Sequence, residues 1–133
     1  MNEIRYLLLK QGHKCICPRV HIPGWYECDI FSINRQHQFV EHELKSTVAD
    51  YKADFGKQKR KQGKHQMLAL HNIIGPAYYW FVCDFDPPSL PSYAGWKLHN
   101  GLIRKKAPKL HNMKISTNRM IHVANSLSYR FYT

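Results

Sequence analysis

One segment constrains the fold more than any other. Residues 78–84 read Tyr-Tyr-Trp-Phe-Val-Cys-Asp. This is a near-continuous apolar run of strand length. A strand with one wet face alternates polar and apolar residues; this one does not, so it is expected to be covered on both faces. Upstream, Gln38 to Lys45 reads as another strand. Between the two, Ser46-Thr47 opens a helix, with Asp50 at capping-box spacing from Thr47. That helical stretch runs toward Asn72, but Gly56 and Gly63 weaken its middle by about 1 kcal/mol each relative to Ala, so a break into two helices is expected. A strand, a crossover helix and another strand imply a parallel pair with a right-handed connection.

The remaining elements follow from periodicity and turn residues. Ile4, Leu7 and Leu8 repeat at helical spacing and predict a short helix over 2–11. Lys14 to His21 and Trp25 to Ile33 read as strands on either side of Pro23-Gly24, and the second pairs with Gln38 to Lys45 in a hairpin. After the prolines at 87, 88 and 91, Trp96 to Leu98 and Leu102 to Lys106 form a hairpin around Asn100-Gly101. Ser116 to Tyr129 is expected to close the chain as a helix. The order is α-β-β-β-α-β followed by a β-hairpin: a single α/β (α+β) domain over 1–133, with a core of about 1–114 and an extension over 115–133.

Composition narrows the partner. Lys and Arg number 20 against 9 Asp and Glu, a formal charge of +11. Such an excess suits a polyanion, and nucleic acid leads. No apolar run reaches the about 18 residues that span a bilayer, so no membrane partner is expected. The first residues do not read as a signal peptide. A cytoplasmic location follows as an expectation. Four cysteines (Cys15, Cys17, Cys28, Cys83) in a reducing compartment argue against disulfides. Cys15 and Cys17 with His13 and His21 offer enough ligands for zinc, but the usual two-residue gap between paired cysteines is missing.

The residues that carry chemistry lie on two adjoining strands. Glu43 and Lys45 are two apart, so they point the same way on a strand, and Asp29 on the neighbouring strand can face the same side. Two carboxylates suit a hard divalent cation, and a lysine beside them suits charge developing on a phosphate. The helix opened by Thr47 brings free N–H groups close by. The plainer reading of Glu43 and Lys45 is a solvated surface pair. Asp50 and Asp54 are supporting acids or helix-start carboxylates. Glu41 and Glu27, on the same faces as Glu43 and Asp29, are candidate extra acids but read more readily as exposed solubilising charges, and His42, on the other strand face from Glu43, reads as structural. The run Lys57, Lys59, Arg60, Lys61, Lys64, His65 reads as a phosphate-tracking face.

The Asp29, Glu43-x-Lys45 arrangement, with a helix before and after, resembles the PD-(D/E)XK nuclease superfamily. The wider stretch resembles its MmcB-like and phage-borne small nucleases, through Glu43-Leu-Lys45-Ser46, Asp50, Asp54, Lys57 and Lys64-His65, on through Tyr79 to Cys83, Leu90 to Gly95 and Ala107 to His111. The resemblance implies a restriction-endonuclease-like core, with a mixed sheet flanked by helices. It also implies an Mg²⁺-dependent deoxyribonuclease, Mn²⁺ being a substitute. Asp29, Glu43 and the main-chain carbonyl of Leu44 would be the metal ligands, and Lys45 the catalytic lysine. Cys28 stands where the family's motif has proline. Repair or recombination are the processes such an enzyme would serve, and a homodimer would fit paired cuts on two strands. The competing expectation is a basic nucleic-acid-binding module without catalysis.

Overall fold

The apolar run at 78–82 lies at the middle of a sheet, where its composition requires it to be. A computed structural model describes residues 2–56 and 59–132, without the side chains of 2, 59 and 129–132. Among these residues the chain forms α1 (Asn2–Lys10), β1 (Lys14–His21), β2 (Glu27–Ile33), β3 (Phe39–Leu44), α2 (Val48–Ala53), α3 (Lys59–Ala69), β4 (Tyr78–Val82), β5 (Ala94–Lys97), β6 (Ile103–Lys105) and α4 (Thr117–Tyr132). The strands make one mixed sheet in the order β1-β2-β3-β4-β5-β6. The β1–β2, β2–β3 and β5–β6 pairs are antiparallel, and β3–β4 and β4–β5 are parallel. The parallel β3–β4 pair and the two hairpins agree with the sequence reading. The second parallel pair was not foreseen, because residues 83–93 cross over without a helix.

The helical stretch is broken where glycine weakens it, but at only one of the two sites. α2 ends at Ala53 and Gly56 lies outside it, whereas Gly63 continues inside α3. Gly63 has a packing reason: a Cβ there would come within 3.0 Å of the Tyr26 hydroxyl. Gly95 on β5 is a tighter case, since a Cβ would meet the Trp80 ring at 2.5 Å and Ala107 Cβ at 2.7 Å. Thr47 caps α2 as expected, its hydroxyl accepting the Asp50 N–H at 3.1 Å.

The sheet separates two environments. One face carries the main core, in which Phe31, Phe39, Tyr79 and Phe81 pack with Tyr51 of α2 and Leu68 of α3. Val123 of α4 joins the same core, and Arg119 ties α4 to the carbonyls of Pro23 and Ile74 at 2.9 and 2.7 Å. The C-terminal stretch, through α4, therefore contributes an element to the domain rather than a loose tail. On the reverse face α1 buries Ile4 and Leu8 against Ile30 and Val82. Each such fully buried aliphatic side chain contributes about 1.5–3 kcal/mol.

Candidate active site

β3 is where the two environments meet. Phe39 to His42 are buried, and register pairs Glu41 with Phe31 and Tyr79, and Glu43 with Phe81. Glu41 and Glu43, two apart, project toward the helices α2 and α3. The exposure expected of Glu41 is wrong: it is 0% exposed. A strand paired on both edges and covered on both faces leaves its residues no water. Trp25 Nε1 donates to Glu41 Oε1 at 2.9 Å, and the Lys64 ammonium donates to Oε2. Glu27 remains exposed, as expected.

Asp29 and Glu43 face the same side of the sheet, and Lys45 reaches Glu43. Asp29 and Glu43 line one cavity of about 310 Å³ together with Tyr26, Asp54, Arg60 and Lys61. Lys45 Nζ lies 3.7 Å from Glu43 Oε1. Asp29 Oδ2 accepts the Leu44 N–H at 2.8 Å, so the β2 carboxylate is fixed by the β3 backbone. Lys45, 2% exposed, donates to Asp54 Oδ1 at 2.5 Å. Asp54 also takes Lys61 at 3.0 Å and His65 Nε2 at 3.2 Å, and His65 Nδ1 is bonded to the Tyr93 hydroxyl at 2.6 Å. Asp54 thus acts as the clamp that orients Lys45. Asp50 is exposed; its N–H donates the cap bond to the Thr47 hydroxyl, and its carboxylate stands 3.8 Å from Lys45.

The basic run divides. Lys64 and His65 are each 7% exposed and turn inward to the carboxylates, so they do not form an open phosphate-tracking face. Arg60 and Lys61 line the cavity. Lys57 lies outside the described residues, as does the side chain of Lys59. The inward turn has a physical cause: Glu41 and Glu43 need counter-charges where water cannot supply them, and Lys64 lies 3.6 Å from Glu43 Oε2 as well.

Charge crowding sets the protonation balance. Burial, and then the Asp29 and Glu41 charges, push Glu43 up to about 8 against the pull of Lys64 and Lys45. Burial alone would raise Asp54, but hydrogen bonds from His65, Lys45 and Lys61 outweigh it and hold the carboxyl well below the usual range. Burial would lower Lys64, but Glu41 and Glu43 raise it above an ordinary lysine. Glu43 Oε2 is buried without a hydrogen-bond partner. Among the described residues no group of three or more His, Cys, Asp or Glu side chains is gathered to hold a metal. His13, proposed alongside Cys15 and Cys17, is instead bonded to Ser32.

Reading the sequence alone missed Glu41, the inward role of Lys64, and Tyr93. The signal for Glu41 was present: it follows Phe39-Val40 on a strand that pairs with an apolar one, so burial was the consistent inference. Beside the polar cavity, and sharing Asp54 and His65 with it, is a larger apolar cavity of about 660 Å³ walled by Tyr51, Phe55 and Tyr93.

No protein-family model matches the chain, and no curated protein matches it. Among solved structures it is similar to the SPO1766 protein of unknown function from Silicibacter pomeroyi, with 19% identity and a TM-score of 0.64 over 93% of this chain and 80% of that one. The likeness defines the class by fold alone, an α+β domain built on a mixed sheet. No helix among the described residues is long and apolar enough to cross a membrane.

Proposed function

We propose that the chain is a metal-dependent nuclease of the PD-(D/E)XK type that hydrolyses phosphodiester bonds in DNA. The observation that carries this reading is the convergence of Asp29 and Glu43 on one cavity bordered by Arg60 and Lys61, with the Lys45 ammonium 3.7 Å from Glu43 Oε1. The donor set suits Mg²⁺, which uses one or two carboxylates and fills its remaining positions with water and substrate phosphate. Glu43 Oε2 makes no hydrogen bond, which leaves it open to a cation. Held by Asp29, Glu43 and the Leu44 carbonyl, the cation would polarise a phosphoryl oxygen and lower the pKa of a water.

The chain's own groups do the rest. Asp54, steadied by His65, keeps the Lys45 ammonium beside Glu43, where it can donate to a phosphate oxygen as negative charge grows. Arg60 and Lys61 neutralise the flanking backbone phosphates. Lys64 pairs with the buried Glu41 beside the site. The apolar cavity walled by Tyr51, Phe55 and Tyr93 offers a stacking surface to a base lifted from its neighbours, which favours single-stranded or branched DNA.

The test is a gel assay of the full chain on plasmid, single strands and a four-way junction, with Mg²⁺, Mn²⁺ or EDTA. Cleavage that needs the cation and disappears in Glu43→Gln and Lys45→Ala is the expected result. A second reading, a non-catalytic nucleic-acid-binding module, draws on the Lys64 ion pairs, which already neutralise part of the acid cluster. Salt-sensitive binding indifferent to EDTA, with no product under any cation, would favour it and overturn the nuclease.

A further inference from the structure

The reverse face of the sheet holds a second polar cluster that the nuclease reading does not use. Lys97 of β5 is 6% exposed. Its ammonium donates to His42 Nε2 at 2.8 Å and lies 4.2 Å above the centre of the Trp80 ring. His42 is fully buried and stacks on Trp80; with Nε2 accepting, its proton sits on Nδ1, which has no partner. Close by, His13 Nδ1 is bonded to Ser32 Oγ at 2.8 Å.

What sets the cluster apart is its missing counter-charge. Among the described residues no carboxylate forms an ion pair with Lys97, and burial alone shifts it, down to about 8, so it keeps most of its charge near neutrality. Lys97 and Trp80 open onto a cavity of about 430 Å³ whose rim carries Arg35, Lys106 and His13, and among the described residues no Asp or Glu lines it. Three cations around one cavity repel one another, and the buried one lacks the ion partner that burial ordinarily demands. The Trp80 ring compensates in part, through its negative face. An oxyanion in the cavity would complete the compensation, with Lys97 as the buried donor and Arg35 and Lys106 as the outer ones.

We infer that this cavity is an anion site for a phosphate group, separate from the Asp29–Glu43 cleft and on the other face of the sheet. Lys97 anchors the anion, Arg35 grips it from the rim, and Trp80 forms an apolar wall. The site recognises the phosphate itself, so a free phosphate and the phosphate of a nucleotide share its chemistry.

The test is isothermal titration of the full chain with inorganic phosphate in EDTA, chloride being used to match ionic strength. One saturable site is expected, with a dissociation constant below about 1 mM. Lys97→Met should weaken it by about tenfold or more, and Arg35→Ala with Lys106→Ala, both on exposed side chains, by several-fold with unchanged circular dichroism. Arg60→Ala and Lys61→Ala, across the sheet, should leave it intact. A parallel titration with a nucleoside 5′-monophosphate separates the sources: tighter binding supports a nucleotide's phosphate, and equal or weaker binding supports the free ion. The inference is overturned if phosphate gives no saturable heat. It is equally overturned if binding survives both the Lys97 and the Arg35/Lys106 variants, or is lost with Arg60 and Lys61 instead. Should Lys97→Met fail to fold, the Arg35/Lys106 variant decides. None of these readouts depends on cleavage, so this inference and the nuclease reading can fail separately.

Discussion

Lys64 and Lys97 are both buried lysines, one on each face of the same sheet, and they are pushed in opposite directions. Lys64 is held between Glu41 and Glu43 and rises above an ordinary lysine. Lys97 meets an imidazole and an indole and falls to about 8. Burial penalises both ammonium groups; the presence or absence of carboxylate partners decides the sign. One face is an internally compensated ion network beside an acidic cavity, and the other is a basic pocket without a counter-charge.

That contrast can be attacked from several sides. The largest effect expected is catalytic. Lys45→Met should lower Mg²⁺-dependent cleavage by about 100- to 1,000-fold, a loss typical of removing one preorganised donor, whereas Lys97→Met should leave the cleavage rate close to the parent's. A gel-based single-turnover rate checks both, and equal losses would erase the distinction between the faces.

Stability comes next. Glu41→Gln strips Lys64 of its main partner and should cost about 3–5 kcal/mol in urea unfolding. The paired change Glu41→Leu with Lys64→Met should recover most of that loss. Lys97→Met, which removes an uncompensated charge, should be neutral or mildly stabilising in phosphate-free buffer.

Smaller, and opposite in sign, are the pH effects. Glu43 has a folded value of about 8, above its ordinary 4.5. The folded protein therefore holds a proton that the unfolded chain has released, and Glu43's contribution to stability is full below 4.5 and is lost as pH rises toward 8. Lys97 falls from 10.5 to about 8, so between those values the unfolded chain holds the extra proton and stability rises with pH. Melting temperatures in EDTA should show Glu43→Gln flattening the first limb and Lys97→Met the second. Comparing each variant with the parent matters, because His13, lowered to about 4 by burial and then by Lys97, adds its own rise between 4 and 6.5. The smallest effect expected is at the α2 cap, where Thr47→Ala should cost about 1 kcal/mol in the same unfolding assay.

The sequence made the two faces unequally legible. Asp29, Glu43 and Lys45 were readable because strand alternation and a hairpin bring them together locally. Asp54 was left open between orienting Lys45 and sitting at a helix start, and the second reading fails because Asp54 lies at the C-terminal end of α2. The inward turn of Lys64 was not, because nothing near it in the chain says that Glu41, 23 residues away, is buried and needs a cation. Lys97 was harder still: a lysine at the end of a short strand looks solvated until β4 is seen beside it and Gly95 is seen to admit the Trp80 ring. The fold was legible to the extent that periodicity and turn residues set it. The β4–β5 pairing was not, since a parallel crossover without a helix leaves no periodic trace.

Glu41, His42 and Glu43 are consecutive residues, and this couples the two faces more tightly than any contact between them. A pleated backbone cannot offer carboxylates to the front without offering imidazole to the back. One residue inserted or deleted ahead of this tripeptide would trade the sides, leaving the front cleft a single ring nitrogen pair and setting two acids against the Lys97 ammonium. Changes to the two pockets are therefore confined to their other walls, because the partition they share tolerates no slippage.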